Sequence, residues 1–187
     1  MSTLFQRRYQ ENTRLQSVCK MIVNIIMVIV SAYVIVTFMC DRTIISGGSM
    51  QPVIENEDTV LINRFAYSFT KPKRYSVAAF KLPGSNSSKV YVKRVIGLPG
   101  EKIQIKDGHV YINGAQLKDD VFTDTILTAG LAANEITLGK DEYFLLGDNR
   151  NNSEDSRFAG VGIVKEKNIT GSVWAIVGPV KRLGFVK

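Results

Sequence analysis

The sequence predicts a mainly β domain of short antiparallel strands behind one N-terminal transmembrane helix. Three observations carry that expectation. Residues 21–40 contain no charged side chain, and about 20 mostly apolar residues are what a helix needs to cross a bilayer. From Thr43 onward, short runs of β-branched and aromatic residues recur between turn formers, as strands do. Helical periodicity is weak everywhere outside the apolar run.

The anchor comes first. Asn24, Ser31 and Thr37 are the only clearly polar residues in the span. A cleaved secretory signal would have a shorter apolar region, about 7–15 residues, followed by a small-residue site. This run is longer, and Thr37-Phe38-Met39 before Cys40 is too bulky for a lipid-attachment signal. No polar face alternates with an apolar one, which argues against a buried core helix. Arg7, Arg8, Arg14 and Lys20 oppose only Glu11 in residues 1–20. The positive-inside rule then assigns that end to the cytoplasm. The expected map is a cytoplasmic 1–20, an anchor at 21–40 and an extracytoplasmic β domain at 41–187, within the usual single-domain size of roughly 100–200 residues.

The outer domain is read in order. Segments 59–65 (TVLINRF), 75–81 (YSVAAFK) and 90–96 (VYVKRVI) are candidate strands. Pro72, Pro83-Gly84 and Pro99-Gly100 bound or interrupt them. Residues 102–106 and 109–112 flank Asp107-Gly108, a strong two-residue hairpin signal, and Asn113-Gly114 offers a second. Segments 142–146 and 172–177 add two apolar strands. Residues 118–141 mix Thr, Asp, Ala and Gly, and are expected as a long surface excursion or a short helix before Gly139. Residues 178–187 follow the last strand without a second apolar span.

The net charge of +7 belongs partly to the N-terminal flank of the anchor. No basic stripe interleaved with aromatics and no helix-turn-helix pattern accompanies the rest, so nucleic acid is not an expected partner. Cys19 and Cys40 are the two cysteines. They bracket a helix about 30 Å long at 1.5 Å per residue, far beyond the roughly 7 Å that a disulfide spans. With one histidine in the chain, a zinc site of Cys and His ligands has no ligand set. No metal or cofactor is expected.

Ser49 lies in Ser46-Gly47-Gly48-Ser49-Met50-Gln51-Pro52. Serine beside glycines is ordinarily turn chemistry, but a serine just outside a membrane span is also placed to act as a nucleophile at the membrane surface. A serine hydroxyl attacks well only when a base removes its proton. His109 follows the Asp107-Gly108 turn and reads as a solvent-facing hairpin residue. Lysine can serve when neutral, which requires burial or nearby positive charge to lower a pKa near 10.4. On a strand, Tyr91, Lys93 and Val95 share one face, and Val92, Arg94 and Ile96 the other. Lys93 there is either such a base or an edge lysine that discourages strand aggregation. Ser68-Phe69-Thr70-Lys71 matches a Ser-x-x-Lys signature that requires a helix, but Pro72 follows at once and no Lys-Thr-Gly accompanies it. A Gly-x-Ser-x-Gly elbow is broken by Gln51. Residues 148–157, rich in Asp and Arg, read alone as a solvated turn with local salt bridges.

In this order the segments 46–52, Tyr91-Val92-Lys93-Arg94-Val95-Ile96-Gly97-Leu98-Pro99-Gly100-Glu101 and 147–157 resemble the motif boxes of bacterial type I signal peptidases of the short, single-anchor form. The resemblance covers nearly the whole chain. It implies a signal-peptidase-like β domain and an endopeptidase that removes signal peptides from exported preproteins through an acyl-enzyme. Ser49 is then the nucleophile and Lys93 the general base, with the Ser49 N–H as one oxyanion donor. Some family members carry a serine where this chain has Gly47, and its hydroxyl supplies the second donor; here a backbone group or water must substitute. The resemblance also implies that Ser153 orients Lys93, that Asp148 pairs with Arg94 and Asp155 with Arg157, and that Arg150 helps hold the loop. Gly47 and Gly48 allow close approach of a bound peptide. The preprotein is expected to bind as an added strand near Ser49 and near residues 75–80. Ala78, Ala79 and the apolar neighbours of Met50 are expected to form shallow pockets for small residues at positions −1 and −3. Arg74-Tyr75-Ser76-Val77 departs from the family's Gly-Asp pattern in a segment that lines its substrate groove. Membrane lipid surrounds the anchor in this reading, and the oligomeric state is left open. Two other readings compete: a signal-peptidase-like pilin assembly factor that does not cut, which would be expected to lack the dyad, and a self-cleaving Ser/Lys repressor, a soluble class.

Overall fold

The computed structural model describes residues 13–83, 89–118, 120, 122 and 124–186. The basic residues Arg7 and Arg8, Gly84 of one expected turn, and Asp119, Val121 and Thr123 of the excursion lie outside the described residues. The chain divides into two units, Met1–Phe38 and Met39–Lys187.

Helix α1 (Thr13–Met39) occupies most of the first unit. It starts upstream of the expected 21–40 span because residues 13–20 contain neither glycine nor proline to stop it. Its stretch Arg14–Val34 has a mean hydropathy of 2.0 and is long and apolar enough to cross a membrane. The helix ends at Met39, and Cys40 opens the first strand.

The second unit is antiparallel β throughout. The strands of its larger sheet are β1 (Cys40–Ile44), β2 (Thr59–Asn63), β3 (Val77–Phe80) and β4 (Tyr91–Gly97), with others from later in the chain. A short helix α2 (Ala66–Phe69) connects β2 to β3. A smaller sheet comprises β5 (Lys102–Lys106), β6 (His109–Ile112), β7 (Ala115–Gln116) and β8 (Ile136–Thr137). The chain then returns to the larger sheet with β9 (Glu142–Leu146), β10 (Val164–Lys165), β11 (Ile169–Gly178) and β12 (Gly184–Phe185). The larger sheet runs β1-β2-β11-β3-β4-β9-β10, with β12 also on β11, and the smaller runs β7-β6-β5-β8. Mainly β was the expectation, and it holds.

Local chemistry explains the register. Asp107 (φ 52°) and Gly108 (φ 76°) are both left-handed, as a two-residue type I′ turn requires. They set Lys106 opposite His109. Asn113 (φ 50°) and Gly114 (φ 78°) repeat the device. The expected strands 59–65, 75–81, 90–96 and 172–177 shift by a few residues at their ends, where turn residues take over. Strands β7, β8, β10 and β12 have two residues each, too few to show a period. In the 118–141 excursion a 3₁₀ turn forms at Gly130–Ala133, and Ile126, Ala132 and Leu138 join the core between the sheets.

Strand β4 positions the site. Val92 packs with Met50, Val60, Ile62 and Ala79, whereas Tyr91 and Val95 pack with Ala78, Phe80 and Leu145. Ile96 faces the smaller sheet with Ile103, Leu138 and Phe144. Both faces of β4 are covered, so a lysine on it is drawn out of water.

Gly97 is where β4 shifts register, pairing with Phe144 after Val95 pairs with Leu145. A Cβ there would meet Ile103 Cδ1 at 2.7 Å and Leu138 Cδ1 and Phe144 Cβ at 2.8 Å. Gly97→Ala should therefore destabilise the full-length protein by about 1–3 kcal/mol, the usual cost of overpacking. Chemical unfolding in detergent, followed by tryptophan fluorescence, measures it; an unchanged midpoint would contradict this packing.

Candidate active site

Glycine and a buried methionine shape the turn that carries Ser49. Gly47 sits at φ 101°, a conformation that L side chains rarely adopt. A Cβ there would meet open space, so backbone conformation alone favours glycine at this position. Met50 is 1% exposed and locked into the core. The turn closes through Gln51 N–H to Gly48 O (3.2 Å) and Ile54 N–H to Met50 O (2.9 Å). Ser49 is left half-buried at the floor of a cleft of about 450 Å³, lined by residues 43–50 and 89–93 with Asn152 and Glu154.

Lys93 reaches that floor from β4. It is 4% exposed, and its Nζ lies 2.6 Å from Ser49 Oγ. Burial brings its pKa down from 10.5 to about 8, against the opposing pull of Asp155, Glu154 and Asp148. The structure thus brings together the two residues singled out as nucleophile and base.

The loop from Gly147 to Arg157 seals the site from behind. Arg94 grips Asp148 with two bonds of 2.7 Å and donates to Tyr75 O. Burial raises the Asp148 carboxyl, and the Arg94 hydrogen bond and charge oppose that. Arg157 holds Asp155 through Nε and Nη2 at 2.8 Å each, and Asp155 also accepts from Gly147 N–H at 3.0 Å. Both expected pairs are present as geometry. Arg150 donates to Gly147 O and makes two 2.6 Å bonds to Asp120. The loop and the turn carrying Ser49 are joined directly: Asn149 N–H donates to Ser49 O at 3.0 Å and Asn149 Nδ2 to Gly48 O at 3.2 Å.

Several expected positions fall elsewhere. Ser153 Oγ is buried and makes no hydrogen bond among the described residues; the Lys93 amine bonds Ser49 Oγ instead. It lies against Gly147, where an added Cβ would come within 2.2 Å of that oxygen. Ala78 and Ala79 are fully buried, because β3 is paired on one side to β11 and on the other to β4. They do not line the cleft, and β3 offers no edge to a peptide. Beside the cleft the open edges are β1, which pairs only with β2, and residues 91–93 of β4, since pairing with β9 begins at Arg94. Residues 74–77 are likewise outside the cleft. Arg74 instead bonds Ile96 O and Glu101, tying the turn before β3 to the start of the smaller sheet. His109 is exposed on that smaller sheet. Lys71 follows an extended residue, Thr70, and so leaves α2 and Ser68 behind.

Sequence reasoning missed Asn149, Asp120 and Phe122. Asn149 stands beside Asp148 in the motif and was legible by position. Phe122 lies under the guanidiniums of Arg94 and Arg150, at 5.4 and 5.9 Å, but its segment carries no pattern in the sequence. Among the described residues no group of His, Cys, Asp and Glu could hold a metal ion.

The profile of the family described as signal peptidase, peptidase S26, matches residues 18–177. A probable signal peptidase I-2 from Synechocystis sp. is 30% identical over 94% of this chain and 78% of its own length. A signal peptidase I P from Bacillus subtilis subsp. natto is 29% identical over 95% of this chain and 98% of its own. A signal peptidase I V from Bacillus subtilis is 36% identical over 69% of this chain and 80% of its own. The chain belongs to the S26 signal peptidase family.

The pH dependence follows from Lys93. Its folded pKa, about 8, lies below the unfolded value near 10.4. Between those values the unfolded chain binds the extra proton, so stability rises with pH across that window. Below about pH 8 the site costs ~3 kcal/mol, from 1.36 kcal/mol per pKa unit. Lys93→Met should remove that cost and be at least as stable as wild type at pH 7, by unfolding in detergent. A clearly less stable variant would mean that the lysine is not held against its charged form.

Proposed function

We propose that this chain is a membrane-anchored serine endopeptidase that removes N-terminal signal peptides from exported preproteins, with Ser49 as nucleophile and Lys93 as general base. The observation that carries the reading is the 2.6 Å contact between Lys93 Nζ and Ser49 Oγ, with the lysine buried. A pKa near 8 leaves much of the amine neutral at mildly alkaline pH, where a base with a pKa close to the working pH is most effective.

The reaction runs in two halves. Lys93 takes the Ser49 proton as Oγ attacks the scissile carbonyl, and the resulting oxyanion accepts from the Ser49 N–H, which has no acceptor among the described residues. The Gly47 N–H is committed to Asn56 Oδ1 at 2.8 Å and is not the second donor. The tetrahedral species collapses as the leaving amine takes the proton back from Lys93, and the mature protein departs. Water then attacks the acyl ester as Lys93 takes its proton, and Lys93 returns that proton to Ser49 Oγ as the ester bond breaks and the signal peptide leaves with a free carboxyl end. Arg94, Asp148, Asp155 and Arg157 keep the loop behind the dyad closed.

The preprotein lies between the free edges of β1 and β4. Ile45 spends its N–H on Asp58 O and its C=O on Glu57 N–H. Alternation along the strand then turns the backbone groups of Ile44 toward the cleft. A peptide added there gains main-chain bonds, and its −1 and −3 side chains point to the same wall. Ile45, Met50 and Val92 make that wall apolar and shallow. They replace Ala78 and Ala79 in the earlier expectation.

The chemistry is tested by incubating purified protein with a preprotein in detergent. Cleavage should rise along a limb centred near pH 8, and Ser49→Ala and Lys93→Arg should both be inactive, since a guanidinium does not deprotonate in proteins. Cleavage by Ser49→Ala would end the dyad reading.

Specificity is tested on one preprotein substituted in turn at −1, −2 and −3. Ala→Leu at −1 or −3 should nearly abolish cleavage, because overpacking costs roughly 1–3 kcal/mol and displaces the carbonyl. The same change at −2 should matter little. Equal tolerance at all three positions would contradict this cleft.

Topology completes the reading. Residues 1–20 are cytoplasmic and residues 41–187 extracytoplasmic, with Arg14 and Lys20 near the inner end of α1. Protease added to spheroplasts should digest the outer part; its protection would reverse the orientation.

A further inference from the structure

Two residues before the proposed nucleophile, the Gly47 peptide is held by a side chain that plays no part in the chemistry. Asn56 Oδ1 accepts from Gly47 N–H at 2.8 Å. Asn56 is exposed and sits in the tight turn Glu55-Asn56-Glu57-Asp58. That turn closes through Asp58 N–H to Glu55 O (3.2 Å) and Glu55 N–H to Asp58 Oδ2 (2.8 Å). Its third residue, Glu57, lies at φ 70°, as a type II turn demands.

The turn is anchored on two sides. Ile45 bonds both Asp58 O and Glu57 N–H at 2.8 Å, which joins the turn to the chain entering the cleft. On the other side Arg182, from the 3₁₀ turn Val180–Arg182, donates through Nε to both Asp58 oxygens at 2.9 and 3.1 Å. Arg182 also donates to Glu55 Oε1 (2.7 Å) and Val53 O (3.2 Å). The Asp58 side chain is 1% exposed and that of Arg182 29%, so the carboxylate end of the pair is buried.

We infer that Asn56 is a positioning residue for the acyl-transfer step: its amide oxygen fixes the plane of the Ser46–Gly47 peptide and so sets where Ser49 Oγ stands relative to Lys93 and the bound carbonyl. The inference rests on the Ser49/Lys93 reading and deepens it. Gly47 has no side chain, and at φ 101° its backbone is free to rotate unless something holds it. Met50 pins the turn after Ser49, Asn56 pins it before. Small misplacements of an attacking atom are costly, with about 1 Å able to lose on the order of a hundredfold in rate.

The test uses full-length protein in detergent and a preprotein with alanine at −1 and −3, at a pH above the rising limb. Asn56→Ala should lower kcat by roughly tenfold, with KM within about twofold of wild type. The midpoint of the pH limb and the thermal midpoint should not move, because the residue is exposed and does not touch Lys93. Asn56→Asp keeps an oxygen acceptor at the same reach and should restore most of kcat. Wild-type kcat in Asn56→Ala overturns the inference, and so does an Asn56→Asp variant as slow as the alanine one. Ser49→Ala, assayed in parallel, separates the two levels. If it is silent while Asn56→Ala runs at full speed, only the Asn56 role is lost. If it still cleaves, the dyad fails and this inference with it.

Discussion

A lysine amine acts as a base near neutral pH only where it is kept from water, and the β unit is arranged around that constraint. Lys93 emerges from a strand covered on both faces, with Ala78 opposite it in register and the 147–157 loop behind. The same burial that lowers its pKa would be self-defeating if uncompensated charges lay nearby. The three buried arginines of β4 and the loop each meet a carboxylate: Arg94 with Asp148, Arg157 with Asp155 and Arg150 with Asp120. Desolvation is the largest influence on Lys93, and it outweighs the opposing pull of Asp155, Glu154 and Asp148, which Arg157 partly offsets. Breaking one such pair would leave a buried charge alone, a loss of about 3–5 kcal/mol. Charge pairing is thus a condition for the base and not an ornament of the loop.

What the sequence disclosed follows from how local each signal is. The hairpin around Asp107-Gly108 was legible because two adjacent residues dictate it. Strands such as β2, β4, β5 and β9 showed their composition, whereas β1, which carries Asp41 and Arg42 and begins inside the expected anchor, and two-residue ladders such as β10 did not. In the site, Ser49, Lys93, Arg94 and Asp148 stood in recognisable segments. Alternation alone did not separate a buried lysine from an exposed edge lysine; partners distant in sequence do, by covering Lys93. The groove was misplaced for the same reason. Ala78 and Ala79 look like pocket formers in one dimension, yet β11, ninety residues later in the chain, closes the edge they would need. Phe122 and Asp120 belong to a segment with no periodicity, and only the folded chain puts them under the arginines.

Leaving two strand edges open is ordinarily a hazard, since unpaired backbone invites aggregation. Here the exposure is confined. On β4 only residues 91–93 lack a partner toward β9, and β1 has five residues. Beyond the β1–β2 ladder, Ile45 continues the pairing through its bonds to Asp58 O and Glu57 N–H.

Gly47 shows how one missing hydroxyl alters the way such a site is organised. A serine at that position would bring its own donor, but the observed φ of 101° is strained for any side chain. Glycine adopts that backbone without strain, and its N–H is held by Asn56. That turn is in turn fixed by a buried aspartate and an arginine from the end of the chain. Preorganisation that a side chain could supply at the site is supplied here by a hydrogen-bonded relay running through the fold. The turn carrying Ser49 is thus tied, through Asn56, to Asp58 and Arg182 as well as by its own hydrogen bonds.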